Sequence, residues 1–428
     1  MTTLDVLLDG VRVAVLDGAA GAGLASLTYT EQAVERFGTG TPLLSTRLPV
    51  RVEGYPGVQT RAWLDGLLPE GDVRTQLADR ARLADTDLFG LLGRYGRDCA
   101  GAVSFVDPAD DTDATASDAG VHWLTDTELA TAIRDLPRSP FGVATDRKVR
   151  VSLGGVQGKL AVVLDGERFG LPLGTHPSTH ILKPAPLTAD GRERWPGIAS
   201  AEAFAMLLCR QLGLPTAPVQ VLDLETGPAL LVERYDRQTA ESGVVRRLHQ
   251  EDLCQALGLT SVSKYQHHND EPSLLMLVQT LRENGGGALT ELTDLLGRVT
   301  ASVLAGNCDA HAKNWSFLLI DGSVRLAPVY DVVPTALWDE LDTELALRVG
   351  DAALLESVRR GDLQAAAQSW GLGRRYAEAE LSRIEARVPG ALDAAVADAN
   401  QVGADEEVVS RAAALVKRMC AQVFTGSC

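Results

Sequence analysis

The sequence predicts an α+β chain of two lobes, the first rich in strands and the second mostly helical, preceded by a smaller α+β accessory unit. Three observations predict it. Strand signals dominate from Val149 to Tyr235, helical signals dominate from Ala288 onward, and the stretch before Asp107 alternates short strand-like runs with turns before becoming helical. With 428 residues the chain exceeds one ordinary core, and 45% apolar content supports globular folding. The expected divisions are 1–106 for the accessory unit, 107–144 for an acidic loop and connecting helix, 145–236 for the strand-rich lobe and 237–428 for the helical lobe.

In the accessory unit Val11–Leu16 reads as a strand, and the pattern from Trp63 to Leu92 reads as helix. Asp107–Gly120 is acidic and nearly devoid of large apolar groups, so it cannot offset its ordering entropy and is expected to be a flexible loop. After it, Ser152-Leu153-Gly154-Gly155-Val156-Gln157-Gly158-Lys159 sets small residues between strands, where backbone amides can approach phosphate oxygens. It matches neither the Walker pattern nor Gly-x-Gly-x-x-Gly, and the plainer alternative is a hairpin entry into Leu160–Leu164 with a turn at Asp165-Gly166.

The next strand, Thr179–Lys183, ends in a lysine of the kind that holds nucleotide phosphates. Ser200–Gly213 reads as a helix with Phe204, Leu207 and Leu208 on its apolar side. Glu202, near its start, is either an ion-pair partner for Lys183 or a solvated first-turn acid. Ala229–Asp236 turns from apolar to polar, as a crossover between lobes would, with an edge strand as the alternative.

The strongest signal follows. Asp309 stands five residues before Asn314, and Asp331 follows 17 residues later. Phosphoryl transfer needs a carboxylate beside the attacking hydroxyl, a carboxamide oxygen on Mg²⁺ and a second carboxylate on the metal, and these types occur here in that order. Asp321-Gly322 favours the positive φ of a tight hairpin turn, which returns Asn314 and Asp331 to its open end. Upstream, Leu289, Leu292, Leu296, Val299 and Val303 recur at helical spacing and predict a buried helix feeding the loop. Further on, Ala377–Arg387 reads as an amphipathic helix supporting the helical lobe.

Charge and composition narrow the function. A net charge of −17, from 57 acidic and 40 basic side chains, opposes direct contact with nucleic-acid backbones. There is no basic n-region and no apolar stretch that would span a bilayer, so a cytosolic chain without membrane contact is expected. Six cysteines without Cys-x-x-Cys spacing fit reduced thiols.

Taken together, Ser152–Lys159, Thr179–Pro184, Val232–Arg237, His249–Gly258, Asp309–Asn314 and Tyr330-Asp331 resemble successive motifs of the HipA family of serine/threonine-protein kinase toxins. Pro42–Pro49, Gly66–Gly71 and Asp98–Val103 resemble its accessory subdomain. The resemblance implies a two-lobed protein-kinase-like fold, ATP with Mg²⁺, and phosphorylation of a protein serine or threonine. It makes Asp309 the catalytic base, Asn314 and Asp331 the Mg²⁺ ligands and Lys183 the phosphate-binding lysine. Ser152, Leu153, Gly154, Gly155, Val156, Gln157, Lys159, Glu202 and His311 fall on the nucleotide side, and Glu233, Arg234 and Tyr235 form the adenine-facing crossover. It further implies autophosphorylation of Ser152, a small helix-turn-helix (HipB-like) antitoxin through which alone DNA is reached, and a protein target such as an aminoacyl-tRNA synthetase.

Two other readings use the same residues: a small-molecule phosphotransferase and a non-catalytic co-repressor that only holds an antitoxin. A metal hydrolase built on Asp309 and His311 is disfavoured, because His249, His267 and His268 lack ligand spacing. His311 is expected to shape the loop by hydrogen bonds instead.

Overall fold

The computed structural model describes residues 2–18, 24–109, 120–137, 140–142, 150–153, 158–188, 190–241, 243–266 and 270–424. In chain order it begins with β1 (Thr2–Leu8), β2 (Val11–Gly18), β3 (Ala25–Tyr29), α1 (Glu31–Phe37), α2 (Gly57–Gly66), α3 (Gly71–Ala81), α4 (Leu88–Tyr95) and β4 (Val103–Val106). Next come β5 (Gly120–Trp123), α5 (Asp126–Arg134), β6 (Leu160–Asp165), β7 (Arg168–Leu173), β8 (His180–Pro184), α6 (Ile198–Gln211), β9 (Val219–Leu224) and β10 (Gly227–Glu233). They are followed by β11 (Arg237–Thr239), β12 (Val245–Arg247), β13 (Gln250–Asp252), α7 (Leu253–Leu257), α8 (Leu274–Glu283), α9 (Leu289–Ala305), β14 (Ser316–Ile320) and β15 (Ser323–Leu326). The chain ends with β16 (Glu344–Val349), β17 (Ala352–Leu354), α10 (Arg360–Ser369), α11 (Arg374–Gln401) and α12 (Glu406–Phe424). The class is α+β, as the sequence predicts.

These elements form two compact units that cut across the expected divisions. The first comprises Met1–Pro184, Glu233–Val262 and Phe317–Val324; the second comprises Ala185–Val232, Ser263–Ser316 and Arg325–Cys428. A shared core explains the first grouping. Val151, Leu153 and Ala161 belong to the same buried cluster as Leu16, Trp63 and Phe105, so the accessory strands and β6 are not separate bodies. Sheet β3-β2-β1-β4 is antiparallel, and so is β5-β7-β6-β8, whose β6–β7 hairpin closes from Asp165 to Arg168 with Gly166 at φ 59°. The helical stretch from Trp63 to Leu92 is broken into α2, α3 and α4.

In the second unit, α9 packs with α6, α10, α11 and α12. Leu292, Leu296, Val299 and Val303 are buried as the periodicity predicts, each contributing roughly 1.5–3 kcal/mol on leaving water. Leu289, at the helix start, is exposed. The helix expected at Ala377–Arg387 is the front of the much longer α11, which continues through Pro389.

Asp321 (φ 51°) and Gly322 (φ 75°) both adopt the left-handed conformation that the β14–β15 turn requires. The expected acidic loop and His267-His268 fall largely or wholly outside the described residues. Cys99, Cys209, Cys254 and Cys308 are free and buried, but Cys420 is disulfide-bonded, which corrects the expectation of six reduced thiols. No helix among the described residues is long and apolar enough to cross a membrane.

Candidate functional site

The loop carrying Asp309 starts where α9 is forced to stop. Gly306 takes a left-handed conformation (φ 73°), and a Cβ there would meet Leu415 at 2.7 Å. Glycine therefore ends the helix and sends Asn307 out of it. From that point nearly every turn of the loop is pinned. Asn307 Oδ1 accepts from the Asp309 N–H at 3.0 Å, the Cys308 N–H donates to Thr335 Oγ1 at 2.8 Å, and the Ala346 N–H on β16 donates to the Cys308 carbonyl at 2.8 Å.

The Asp309 carbonyl accepts twice, from the His311 N–H at 2.8 Å and from Asn314 Nδ2 at 3.1 Å. Since the amide NH₂ of Asn314 is engaged, its Oδ1 is left as an acceptor. The Trp315 indole N–H donates to the Ala310 carbonyl at 3.1 Å, and Tyr330 hydroxyl donates to the Lys313 carbonyl at 2.7 Å. At the open end of the hairpin, the Ala327 N–H donates to the Ser316 carbonyl at 2.8 Å. The return strand thus delivers Tyr330 and then Asp331, which is half-buried with φ 58°, a conformation that aspartate tolerates better than most residues.

Asn314 and Asp331 line one cavity of about 460 Å³, together with Asn307, Ala310, Arg298 and Tyr330. An amide oxygen and a carboxylate are the hard donors that Mg²⁺ prefers, and Mg²⁺ commonly takes only one or two protein ligands, with phosphates and water completing its shell. The donor set fits that ion. Asp309 is exposed beside the cavity, and Tyr265 hydroxyl donates to its Oδ1 at 3.0 Å. The buried His311 ring packs edge-on against Tyr265, with centroids 5.4 Å apart, so it shapes the loop through packing and through its main-chain bonds.

The other expected residues distribute differently. Lys183 is buried on β8 in the first unit, and Lys159 is half-buried just before β6. Glu202 is 2% exposed on α6 in the second unit, which removes the solvated alternative. Gly154, Gly155, Val156 and Gln157 lie outside the described residues. Leu153 is a core side chain. Ser152 is fully buried, and its Oγ donates to the Leu67 carbonyl at 2.6 Å.

Arg234 is engaged within the protein through its N–H and its guanidinium. Its N–H already donates to the Thr179 carbonyl at 2.9 Å, and its guanidinium is buried against Asp236 (2.8 Å), Asp98 (3.3 Å) and Ser178 Oγ (2.8 Å). Glu233 is exposed, and Tyr235 hydroxyl bonds the Gln250 side chain. Around Asp98 the ion cluster continues with Arg237 at 2.8 Å and Arg247 at 3.4 Å. Burial pushes the Asp98 carboxyl up, but the three guanidinium groups outweigh it and hold it well below the usual carboxylate range. Asp98 also grips the Ser152 strand by its main chain, donating to the Arg150 carbonyl at 3.1 Å and accepting from the Ser152 N–H at 3.0 Å.

Tyr265, Asn307 and the Asp98 cluster are what sequence reasoning missed. Asn307, two residues before Asp309, carries a legible side-chain cap signal; the others are brought in from far away along the chain.

Known proteins resemble this chain along nearly its whole length. The model of the HipA-like C-terminal domain family matches residues 151–392, and that of the HipA N-terminal domain matches residues 4–106. The serine/threonine-protein kinase toxin HipA of Shewanella oneidensis is 29% identical over 401 residues, covering 91% of this chain and 88% of that protein. The Sinorhizobium fredii protein Y4mE is 35% identical over 333 residues, or 77% of each chain. Among solved structures, a chain in the complex of Shewanella oneidensis HipA, HipB and operator DNA aligns with TM-score 0.82 and 26% identity, covering 98% of this chain and 97% of that one.

Proposed function

The chain belongs to the HipA family, and on that premise we propose that it is a serine/threonine-protein kinase and the toxin of a toxin–antitoxin module, with the two-lobed kinase-like fold of its relatives. The observation that carries the reading is that Asn314 and Asp331 line one cavity, beside the exposed Asp309.

Asn314 and Asp331 would hold Mg²⁺, which when bound with ATP neutralises charge on the phosphates. Asp309 accepts the proton of the substrate hydroxyl as its oxygen attacks the γ-phosphorus and the bond to the β-phosphate oxygen breaks. In the first unit Lys183 is assigned to the α- and β-phosphates, with Lys159 and the Ser152–Gln157 segment on the same nucleotide side; Glu233 and Tyr235 are assigned to adenine, and Glu202 in the second unit to support of the nucleotide groups. The target is a cytosolic protein, with an aminoacyl-tRNA synthetase as the first candidate, and Ser152 is the autophosphorylation site. Its partner is a HipB-like antitoxin, through which operator DNA is reached; the chain's charge of −17 supports that indirect route.

The test is transfer from labelled ATP into lysate proteins and, in parallel, into a metabolite panel. Wild-type chain should label protein, and Asp309→Ala should abolish labelling while keeping its melting temperature. Label in metabolites alone would replace this reading with a small-molecule phosphotransferase, and an unlabelled lysate with tight antitoxin binding would replace it with a co-repressor.

A further inference from the structure

Asp309 is exposed, and an exposed carboxylate on a loop samples several rotamers unless something holds it. The only hydroxyl among the described residues that bonds it is that of Tyr265, at 3.0 Å from Oδ1; Oδ2 accepts no hydrogen bond from the described residues.

Tyr265 is itself held in place from both sides. The Lys264 carbonyl, one residue before it, accepts the Ala312 N–H of the Asp309 loop at 3.0 Å. One residue after it, the Gln266 N–H donates to the Ala346 carbonyl at 2.8 Å, and Gln266 Oε1 accepts the Arg348 N–H at 2.9 Å. Ala346 in turn donates its N–H to the Cys308 carbonyl, so a single residue of β16 clamps both the segment that carries Tyr265 and the loop that carries Asp309. The edge-on contact with His311 fixes the tyrosine ring. A phenol held this firmly acts as a stop against which the carboxylate rests.

We infer that Tyr265 is a positioning residue for Asp309: by donating to Oδ1 it locks the carboxylate so that Oδ2 alone meets the acceptor hydroxyl. This rests on the kinase reading above. In the transfer step the acceptor oxygen bonds to the γ-phosphorus, the bond to the β-phosphate oxygen breaks with its electron pair leaving on ADP, and the acceptor proton passes to Oδ2. The tyrosine neither gains nor loses a proton. It removes unproductive rotamers of the base, an orientation effect rather than a chemical one.

Tyr265→Phe keeps the ring and its packing and deletes only the hydroxyl. With the full chain and MgATP, kcat should fall roughly tenfold, the worth of one well-placed hydrogen bond. KM for ATP and fluorescent-nucleotide affinity should stay within about twofold, and melting temperature within error, which a loosened loop would not allow. A Tyr265→Phe enzyme with wild-type kcat, or one whose ATP affinity falls as much as its rate, overturns the inference alone. A wild-type chain that labels no protein overturns the kinase reading and this inference with it.

Discussion

The side-chain NH₂ of Asn314 is bonded to the main-chain carbonyl of Asp309 at 3.1 Å, so the residue assigned to the metal and the residue assigned to the proton are parts of one rigid turn. Moving either one moves the other.

Asn314→Ala should therefore raise the Mg²⁺ concentration for half-maximal transfer by at least about tenfold and also lower kcat at saturating Mg²⁺. A magnesium titration of initial rates checks both. Unchanged kcat at saturation would mean that the turn keeps its shape without the amide.

Asp98→Ala should be among the most destabilising single changes in the chain. It leaves the guanidinium groups of Arg234, Arg237 and Arg247 with Asp236 as the one remaining carboxylate of the cluster, and removing one partner of a buried ionic cluster typically costs about 3–5 kcal/mol. Urea unfolding should show a markedly lower midpoint, whereas Asp190→Ala, at an exposed pair with Arg192, should leave it in place.

Glu251 makes stability depend on pH in an unusual direction. Burial pushes its carboxyl from the ordinary 4.5 up to about 7, against the lowering effect of bonds from Ser45 and Thr46, and its Oε2 has no hydrogen-bond partner among the described residues. The folded state holds the proton more tightly, so this stabilisation is complete below about pH 4.5 and is lost as pH rises through 7, by at most about 3 kcal/mol. Glu251→Gln mimics the protonated form. It should match wild type near pH 5 and melt higher at pH 8; equal melting curves at both pH values would contradict the assignment.

Ser152 is the fourth test. Its hydroxyl is buried against the Leu67 carbonyl, and a phosphate with nearly two negative charges has no place in that position, so phosphorylation requires the Ser152 strand to leave its groove. Ser152→Ala should lose the main phosphate adduct in intact-mass spectra after incubation with ATP. Limited proteolysis of the phosphorylated wild type should cut near residue 152 faster than it cuts the unphosphorylated chain.

The candidate loop's setting is legible because its information is local: the Asp321-Gly322 turn and the helical repeat from Leu292 to Val303 each act within a few residues. What could not be read depends on contacts between distant parts of the chain. Tyr265 reaches Asp309 from 44 positions away, and Arg234 meets Asp98 across 136. No periodicity or motif encodes such a meeting, so nothing local marks the Arg234 side chain as an interior cation. Val151 and Leu153 likewise carry no local mark of belonging to the core around Trp63.

The charges around Asp98 also limit how this protein can be cut. The acid comes from the segment matched by the N-terminal family model, while its three cationic partners come from the segment matched by the C-terminal one. A truncated chain starting after residue 106 would leave those cations with Asp98 gone and without their bonds to the Cys99 and Gly101 carbonyls. Cutting between the two matched segments therefore parts a buried acid from all three of its cations.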